Sequence, residues 1–306
     1  MAKSGAEIER KLKTALDESR LLILGAQVLF GFQFHGAFQE LFSELPRASQ
    51  AAHGIGLMSL LFAISFLIAP SLHHQIIYHG KSRRDALRGA TFYAGLSIVP
   101  LTLGLGLSVG VVFDQVAGEG AGPVAGAIFT AGAIMLLYGL GFALRGGRRP
   151  SMPNDEIETP LKTKIDQMLT EARVIIPGGQ ALLGFQFVAT LMKPFEALPE
   201  SAKMLHLVAL SAVAVSVILL MTPAAVHRLA FQGEDDEDFF RIGSRLVISA
   251  AVPLALGIAA EVYVVFLKIT SAVTPSTVAG LSAFAIMMAV WFVYPAWRRA
   301  AGVKRH

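Results

Sequence analysis

The chain has 306 residues, of which 54% are hydrophobic and only 16% are charged. Soluble domains carry roughly 25% charged residues, so this composition excludes an ordinary soluble protein and predicts a membrane protein. The absence of cysteine excludes disulfides, thiolate metal sites and a cysteine nucleophile. In a membrane protein, the formal net charge of +4 indicates a cytoplasmic excess of lysine and arginine rather than affinity for nucleic acid.

The N-terminal segment is polar and has a helical pattern. Residues 6–20 place Ile8, Leu12 and Leu16 on one face, which predicts an amphipathic helix that lies on the membrane or against the helix bundle. The segment has no short apolar core followed by a small-residue cleavage site, so we expect no cleaved signal peptide.

Eight apolar stretches follow, each near the ~20 residues that cross a hydrocarbon core of ~30 Å. They cover residues 21–42, 51–72, 87–113, 121–144, 174–195, 204–226, 244–267 and 276–297. Residues 145–158 mix glycine, proline and charge, which is typical of a linker. We therefore predict an all-α membrane protein whose eight transmembrane helices form two four-helix units, 1–150 and 151–306, each preceded by an amphipathic cytoplasmic helix.

The two units are copies of one another. The sequence ESRLLILGAQVLFGFQF at 18–34 returns as EARVIIPGGQALLGFQF at 171–187, 153 residues later. The offset holds without a gap along both units and pairs, for example, His53 with His206. An even number of spans per unit predicts a tandem duplication of parallel repeats, related by a pseudo-two-fold axis along the membrane normal.

The distribution of positive charge predicts the orientation. With the N-terminus inside, the inner segments hold 22 of the 26 lysines and arginines. The positive-inside rule then places both termini in the cytoplasm. The lipid bilayer is the expected surrounding, and a homo-oligomer or a membrane-protein partner is compatible with the pattern. We expect no nucleic-acid partner.

A first group of candidate functional residues is polar and lies within the apolar stretches, where each side chain needs a reason. They are Gln27, Gln33, Gln180, Gln186 and Glu261. The glutamines either bond neighbouring helices as packing contacts, or Gln33 and Gln186 face each other and line a polar path. Glu261, whose counterpart is Ser108, is a functional candidate, although Lys268 on nearly the same face and the nearby outer interface would expose it to water.

A second group of candidates is interfacial, or could form a gate. It comprises Glu18, Arg20, Glu171, Arg173, His53, His206, His74 and His227. The arginines either reach lipid phosphate or form an ion pair with the other half at an inner gate. The histidines either cap helix ends among the headgroups or meet in depth-matched pairs, which would suit a bis-histidine haem or a proton relay. We expect no cofactor and no metal.

Motifs for catalysis are missing from the sequence. It has no Walker loop, dinucleotide fingerprint, HExxH or nucleophile elbow, so we expect no enzymatic activity. Two glycine pairs, Gly106/Gly110 and Gly122/Gly126, have the spacing of close helix crossings.

Several motifs together resemble a known family. These are the E-x-R leader, the G-x-Q-x-L-x-G-F-Q-F run, the Leu-Pro after the first span and the P-x-x-x-H that ends the second. They resemble a family of small bacterial four-span membrane proteins without an established function, some of which are labelled sodium:proton antiporters. The family pattern occurs twice, and the two copies together cover nearly the whole chain. The resemblance implies a location in the bacterial cytoplasmic (inner) membrane. The first unit departs from the pattern at Gln75, where the second has Arg228.

Two functions remain open from the sequence. The first is a channel or transporter for a small ion or solute, because polar and proline-containing positions repeat at matching depth. The alternative is a non-transporting membrane scaffold or accessory subunit, because buried ionisable groups and motifs for chemistry are scarce.

Overall fold

The computed structural model describes Leu12, Leu16 and residues 22–81, 84–118, 120–139, 160–229, 231 and 234–303. Within these ranges the chain is helical with connecting turns and contains no strand, which confirms the predicted all-α class. Most of the first amphipathic helix, including Glu18 and Arg20, and the linker 145–158 lie outside the described residues.

The helices follow the order of the two repeats. The first repeat contains α1 (Leu22–Gly36), α2 (Arg47–Ile76), α3 (Arg84–Ala117) and α4 (Ala121–Ile134). The second contains α5 (Leu161–Ala189), α6 (Glu200–Leu229), α7 (Glu237–Thr270) and α8 (Val273–Met288), with α9 (Tyr294–Val303) at its end. A π-turn, Met135–Gly139, follows α4, and a second, Ala289–Val293, joins α8 to α9.

Six of these helical segments are long and apolar enough to cross a membrane: α2, α3, α5, α6, α7 and the continuous segment α8–α9. These helices are compatible with a multi-pass membrane protein. The other two predicted spans appear as shorter apolar helices within the described ranges, Leu22–Gly36 and Ala121–Leu137. The first stops before the predicted limit at residue 42, because a turn and the short 3-10 helix Glu40–Glu44 precede Pro46.

The loops define two ends of the bundle. Residues 37–46, 118, 120, 190–199 and 271–272 lie at one end, and residues 77–81, 231, 234–236 and 303 at the other. We name the first the outer end and the second the inner end, after the orientation that the charge distribution predicts.

The second amphipathic segment and the fifth predicted span form one helix, α5. Its inner part buries Ile165, Met168 and Ala172. Met168 packs so closely on α7 that a Cβ atom at Gly243 would lie 2.4 Å from its methyl carbon. This amphipathic segment therefore lies against the bundle, because its apolar face is covered by α7.

Helix α2 lies at the centre of the bundle. Its most apolar window is 78% buried, whereas that of its counterpart α6 is only 33% buried. The reason is that α2 packs on α3 in its own repeat and also on α7, α8 and the second π-turn. The indole Nε1 of Trp291 in this π-turn donates to the backbone oxygen of Ser65 at 2.9 Å. A nearby carbonyl, that of Val290, lies 2.7 Å from Nε2 of His73.

The contacts between the repeats do not follow the predicted pseudo-two-fold axis. Such an axis would pair α6 with α3 wherever α2 pairs with α7. The structure instead packs α2 on α7, while α6 makes no comparable packing on α3. The surface with which the first repeat contacts the second therefore includes α2. The surface with which the second repeat contacts the first includes α7 rather than α6, the counterpart of α2.

The predicted glycine crossing is confirmed between α3 and α4. A Cβ atom at Gly106 would lie 1.8 Å from Oγ1 of Thr130 and 2.7 Å from the backbone oxygen of Gly126. A Cβ atom at Gly122 would lie 2.6 Å from the backbone oxygen of Gly110. Only glycine allows the two backbones to approach this closely.

Replacing Gly106 by alanine should separate these helices. We expect Gly106→Ala to reduce the free energy of unfolding by about 1–3 kcal/mol through overpacking. Gly132→Ala on α4 is the matched control, because no described atom lies within 4 Å of its Cβ position, and it should leave stability unchanged or slightly raised. Thermal unfolding in detergent measures both variants. Equal stability of the two would contradict the crossing.

Candidate functional site

Three spans of the second repeat bring together a buried polar cluster in the outer half of the bundle. We call it the outer cluster: Gln186 of α5, His206 of α6 and Glu261 of α7. The imidazole Nδ1 lies 2.9 Å from one carboxylate oxygen of Glu261. The amide of Gln186 donates to the same oxygen at 2.6 Å. All three side chains are fully enclosed by protein.

The hydrogen bonds restrict where protons sit in the outer cluster. Nε2 of His206 lies 3.1 Å from the backbone oxygen of Gln186, which can only accept, so Nε2 carries a hydrogen and donates it. Nδ1 and the Glu261 carboxyl group then share one further proton. The pair is either imidazolium with carboxylate or neutral imidazole with carboxylic acid, and both forms have the same net charge of zero.

Aromatic rings close the outer cluster. Phe34 of the first repeat lies parallel to the His206 ring with centroids 6.4 Å apart, and Phe195 meets its edge at 4.8 Å. The expectation that water reaches Glu261 at a shallow position, close to Lys268, is therefore wrong, because α5 and α6 cover the carboxylate. The placement of His206 among headgroups is wrong for the same reason.

The first repeat contains the same arrangement without the carboxylate. The amide of Gln33 donates to the hydroxyl of Ser108, and Nε2 of His53 lies 2.7 Å from the backbone oxygen of Gln33. Phe42 meets the edge of the His53 ring as Phe195 meets that of His206. His53 is also buried rather than interfacial. Gln33 and Gln186 therefore bond the third span of their own repeats instead of each other.

A second carboxylate, Glu171 of α5, is buried near the inner end. Its Oε1 lies 2.7 Å from Nδ1 of His74, and its Oε2 accepts a hydrogen bond from the Gln75 amide at 2.6 Å. Both partners belong to α2, so this inner cluster joins the two repeats. The interfacial placement of Glu171 and His74 is wrong, since both are almost completely buried. The bond between the halves is made by His74 and Gln75 and is not the ion pair of the arginines that the sequence left open, since Arg173 is exposed.

Gln27 lies between the two clusters. A Cβ atom at Gly178 of α5 would lie 1.7 Å from its Oε1 atom, so the amide occupies the space above the glycine. Along α5, Gly178 is about 10 Å above Glu171 and about 12 Å below Gln186, and the three positions fall within an arc of about 80°. One face of α5 therefore meets polar groups at three depths: Glu171 and Gln186 of α5 itself, and Gln27 of α1 beside Gly178.

Several buried amide oxygens in these clusters accept no hydrogen bond from any group in the described part of the chain. They are Oε1 of Gln27, Gln33, Gln75 and Gln186. A buried polar atom without a partner costs about 1–3 kcal/mol, so each of these positions favours a water molecule or a solute.

The remaining predicted residues are not part of either cluster. Gln180 is exposed on α5, although its counterpart Gln27 is buried. Arg173 is exposed at the inner end and lines a cavity there. His227 stacks on Phe239 with ring centroids 4.4 Å apart. Glu18 and Arg20 lie outside the described residues.

A cavity of about 490 Å³ opens at the inner end beside the inner cluster. We call it the vestibule. Its lining includes Gln75, His79, Arg241, Arg245 and Arg299, with Glu237 as the acidic member. Burial, and then the charges of Arg299 and Lys81, lower the pKa of His79, so at neutral pH the positive charge comes from the arginines. The vestibule reaches the Gln75 side chain, whose amide binds Glu171.

Metal binding has no support in this geometry. In the described ranges, no three histidine, aspartate or glutamate side chains are grouped to hold an ion. Nε2 of His53 and Nε2 of His206 are each directed to a carbonyl of their own repeat, which is not the arrangement of two axial haem ligands.

Sequence reasoning named most cluster residues but did not assemble them. It missed Gln75 and the vestibule arginines as site residues. Gln75 had a signal, because it follows the repeated His74 and breaks the pattern of the second repeat. Ser108 had one as well, as the counterpart of Glu261.

Removing the imidazole should affect the two repeats differently. His206→Ala leaves the Glu261 carboxylate buried without its cation, and we expect a loss of about 3–5 kcal/mol in unfolding free energy. His53→Ala, the matched control, opens a similar space beside Ser108 and should lose about 1–3 kcal/mol. Adding Glu261→Ser to His206→Ala should recover part of the loss. Chemical unfolding in mixed micelles measures all three variants, and equal losses for both histidines would contradict a paired carboxylate.

The comparisons with known proteins identify the repeat but no activity. The family model described as "Family of unknown function (DUF6328)" matches the chain twice, over residues 3–141 and 157–295. No curated protein and no solved structure matches the chain. The two family matches lie in tandem and together cover most of the sequence, which confirms the duplication. The chain therefore belongs to DUF6328, a family of unknown function, and contains the unit that the family model describes twice.

Proposed function

We propose that this protein is a proton-coupled transporter for a small anion, with eight spans in the bacterial cytoplasmic membrane and both termini in the cytoplasm. The observation that carries the proposal is the His206–Glu261 pair, whose imidazole Nδ1 and carboxylate oxygen lie 2.9 Å apart in a fully enclosed part of the bundle. An ionisable group at such a position is by default a functional candidate.

The fold itself does not require this carboxylate. The first repeat builds the same three-helix arrangement with Ser108 in place of Glu261. Buried ion pairs are in general weak contributors to stability, since desolvation offsets much of their attraction. The carboxylate therefore adds a proton-binding group to a helix arrangement that packs without one.

The polar face of α5 supports a route between the inner end and this pair. Its groups are the inner cluster, Gln27 above Gly178, and the outer cluster. Steps of about 10–12 Å are too long for direct proton transfer and need water between the groups. The amide oxygens of Gln27 and Gln75, which accept no hydrogen bond from the described residues, are suitable acceptors for such waters.

The vestibule supports an anion as the solute. Three arginines and one glutamate line it; Arg241 is paired with Asp238, so Arg245 and Arg299 supply the positive charge of the cavity. A proton bound at the His206–Glu261 pair would offset the charge of an anion that passes the same bundle.

Eight spans are part of this proposal. Ala121–Leu137 is about 26 Å long, close to the hydrocarbon thickness, and α1 continues from a segment with the same repeat sequence as the start of α5. With α1 and α4 as spans, both repeats have the same orientation.

Glu261→Ser is the decisive variant, because it gives the second repeat the polar groups of the first. Purified protein in liposomes would receive an inward gradient of chloride, nitrate, acetate or phosphate, and a trapped dye would report internal pH. We expect at least one anion to drive a pH change that Glu261→Ser reduces at least tenfold. Ser108→Ala, the matched control, should retain the wild-type rate.

Two results would overturn the proposal. One is a wild-type pH response that equals that of empty liposomes for all four anions and for sodium and potassium, which would favour the scaffold function. The other is full activity in Glu261→Ser. Thermal unfolding of each variant distinguishes lost transport from a lost fold.

The arginines that line the vestibule lead to a separate prediction. Replacing Arg245 and Arg299 together by glutamine should raise the KM for the transported anion roughly 30-fold, since each charge contributes on the order of 1 kcal/mol near a hydrated site. The maximal rate should change little. Lys203→Gln, which removes one positive charge at the outer end, is the control and should leave the KM for uptake from the inner side unchanged. An unchanged KM in the double variant would exclude the vestibule as the anion's route.

A further inference from the structure

The interface between the two repeats has two different sides. The first repeat contributes α1 and α2, and the second contributes α5, α7 and the second π-turn. Because the repeats are copies, each side of this interface exists a second time in the same chain. The second copy of the α2 side is α6, and the second copy of the α7 side is α3 with the first π-turn. A contact of this head-to-tail type can continue from molecule to molecule until it closes into a ring.

The α6 surface is open where α2 is covered. Ser65 and Ile68 of α2 are completely buried against the second repeat or the bundle interior. Their counterparts 153 residues later, Ile218 and Met221, are 63% and 49% exposed. Gly54 of α2 contacts Phe266, whereas its counterpart, Leu207, is also exposed.

The α3 surface is open where α7 is covered. Val265 of α7 is fully buried, and its counterpart, Val112 of α3, is 59% exposed. Ile258 is buried, and its counterpart Leu105 is exposed. Two residues of the first π-turn differ from their counterparts in the same sense: Met135 and Leu137 are exposed, whereas Met288 and Val290 are half-buried.

Lipid covers exposed apolar residues as well as protein does, so a polar contact is needed to distinguish a protein partner from lipid at this surface. Gln27 is buried because its amide lies over Gly178. Gln180, its counterpart, is exposed near the middle of a predicted span, where a side-chain amide is costly in hydrocarbon. Gly25, the counterpart of Gly178, has no described atom within 4 Å of its Cβ position. Among the described residues, the Gln180 amide therefore has no glycine to pack over, and Gly25 has no amide packed over it.

The missing contact cannot be made within one molecule, because Gly25 belongs to the repeat whose Gln27 already binds the second repeat. We propose that copies of this chain assemble head to tail into a closed ring. In this ring α6 of one copy packs on α3 and the first π-turn of the next, and Gln180 of one copy lies over Gly25 of the next. The smallest such ring has two copies, with four repeats around one axis. The proposal does not depend on transport.

Paired cysteines test this contact directly, since the chain has no native cysteine. A chain with Gly25→Cys and Gln180→Cys should form disulfide-linked oligomers in native-like bilayers under mild oxidation. The same pair in its intramolecular form, Gln27→Cys with Gly178→Cys, is the positive control and should link only within one chain. A closed ring of two copies yields a dimer band, whereas an open chain of copies yields a ladder.

Two further variants separate this interface from random collision and from two-fold packing. Ile128 and its counterpart Leu281 are exposed in both repeats, so the ring leaves them in lipid, and the pair Ile128→Cys with Leu281→Cys should not link. Gln180→Cys alone should not link either, since it has no identical neighbour in a head-to-tail contact. Efficient linking of either variant would overturn the proposal.

The mass of the protein in lipid nanodiscs provides a measurement without cysteines. The wild-type protein should have the mass of at least two chains. No described atom lies within 4 Å of the Cβ position of Gly25, so Gly25→Leu should fold with unchanged thermal stability, and its side chain should block the contact and give the mass of one chain. A wild-type monomer, or an unchanged oligomer in Gly25→Leu, would contradict the ring.

Discussion

The packing of α2 against the second repeat is the contact on which the other features depend. It brings His74 and Gln75 to Glu171, and it brings the Ser65 carbonyl to the indole of Trp291. It also forms one wall of the vestibule, whose lining runs from α2 to α7 and α9. Helices in a bilayer gain little from hydrophobic burial against one another, so such a contact depends on close packing and on hydrogen bonds. The π-turn contributes here, because its altered hydrogen-bond pattern accompanies a carbonyl that is bound by His73.

The distribution of polar groups follows from the cost of placing them in an apolar interior. Each buried carboxylate has an imidazole and an amide as partners, and each of these histidines lies on a neighbouring helix. In the outer cluster, the carbonyl on Nε2 leaves Nδ1 for the carboxylate, so a single proton is shared. The glycine at position 178 serves the same end, because it leaves room for the Gln27 amide between the two clusters. Stability alone does not require the Glu261 carboxylate, since the first repeat packs with a serine at the equivalent position.

Duplication followed by divergence explains why two similar repeats have different environments. The repeats share the glutamine–histidine framework but differ at Ser108 and Glu261, and at Gln75 and Arg228. The larger difference comes from assembly: the same helix is buried as α2 and open as α6. In a head-to-tail arrangement the first and last surfaces of a tandem pair remain open, whatever their sequences. Asymmetry between sequence-related repeats is therefore a consequence of the packing and not only of substitutions.

Sequence by itself determined the class, the duplication and the location of the helices. Length of apolar runs and the constant offset of 153 residues are local properties of the chain, and a bilayer forces such runs to be helical. It also named Gln186, His206 and Glu261 individually, because polar residues are conspicuous in apolar runs. Only the tertiary structure decided that these three meet, that Glu261 is enclosed rather than hydrated, and that Glu171 binds α2 of the other repeat. Periodicity specifies which face of a helix a residue occupies, but the neighbour of that face depends on how the helices pack. For the same reason the sequence predicted a pseudo-two-fold axis, whereas the contacts between the repeats are head to tail.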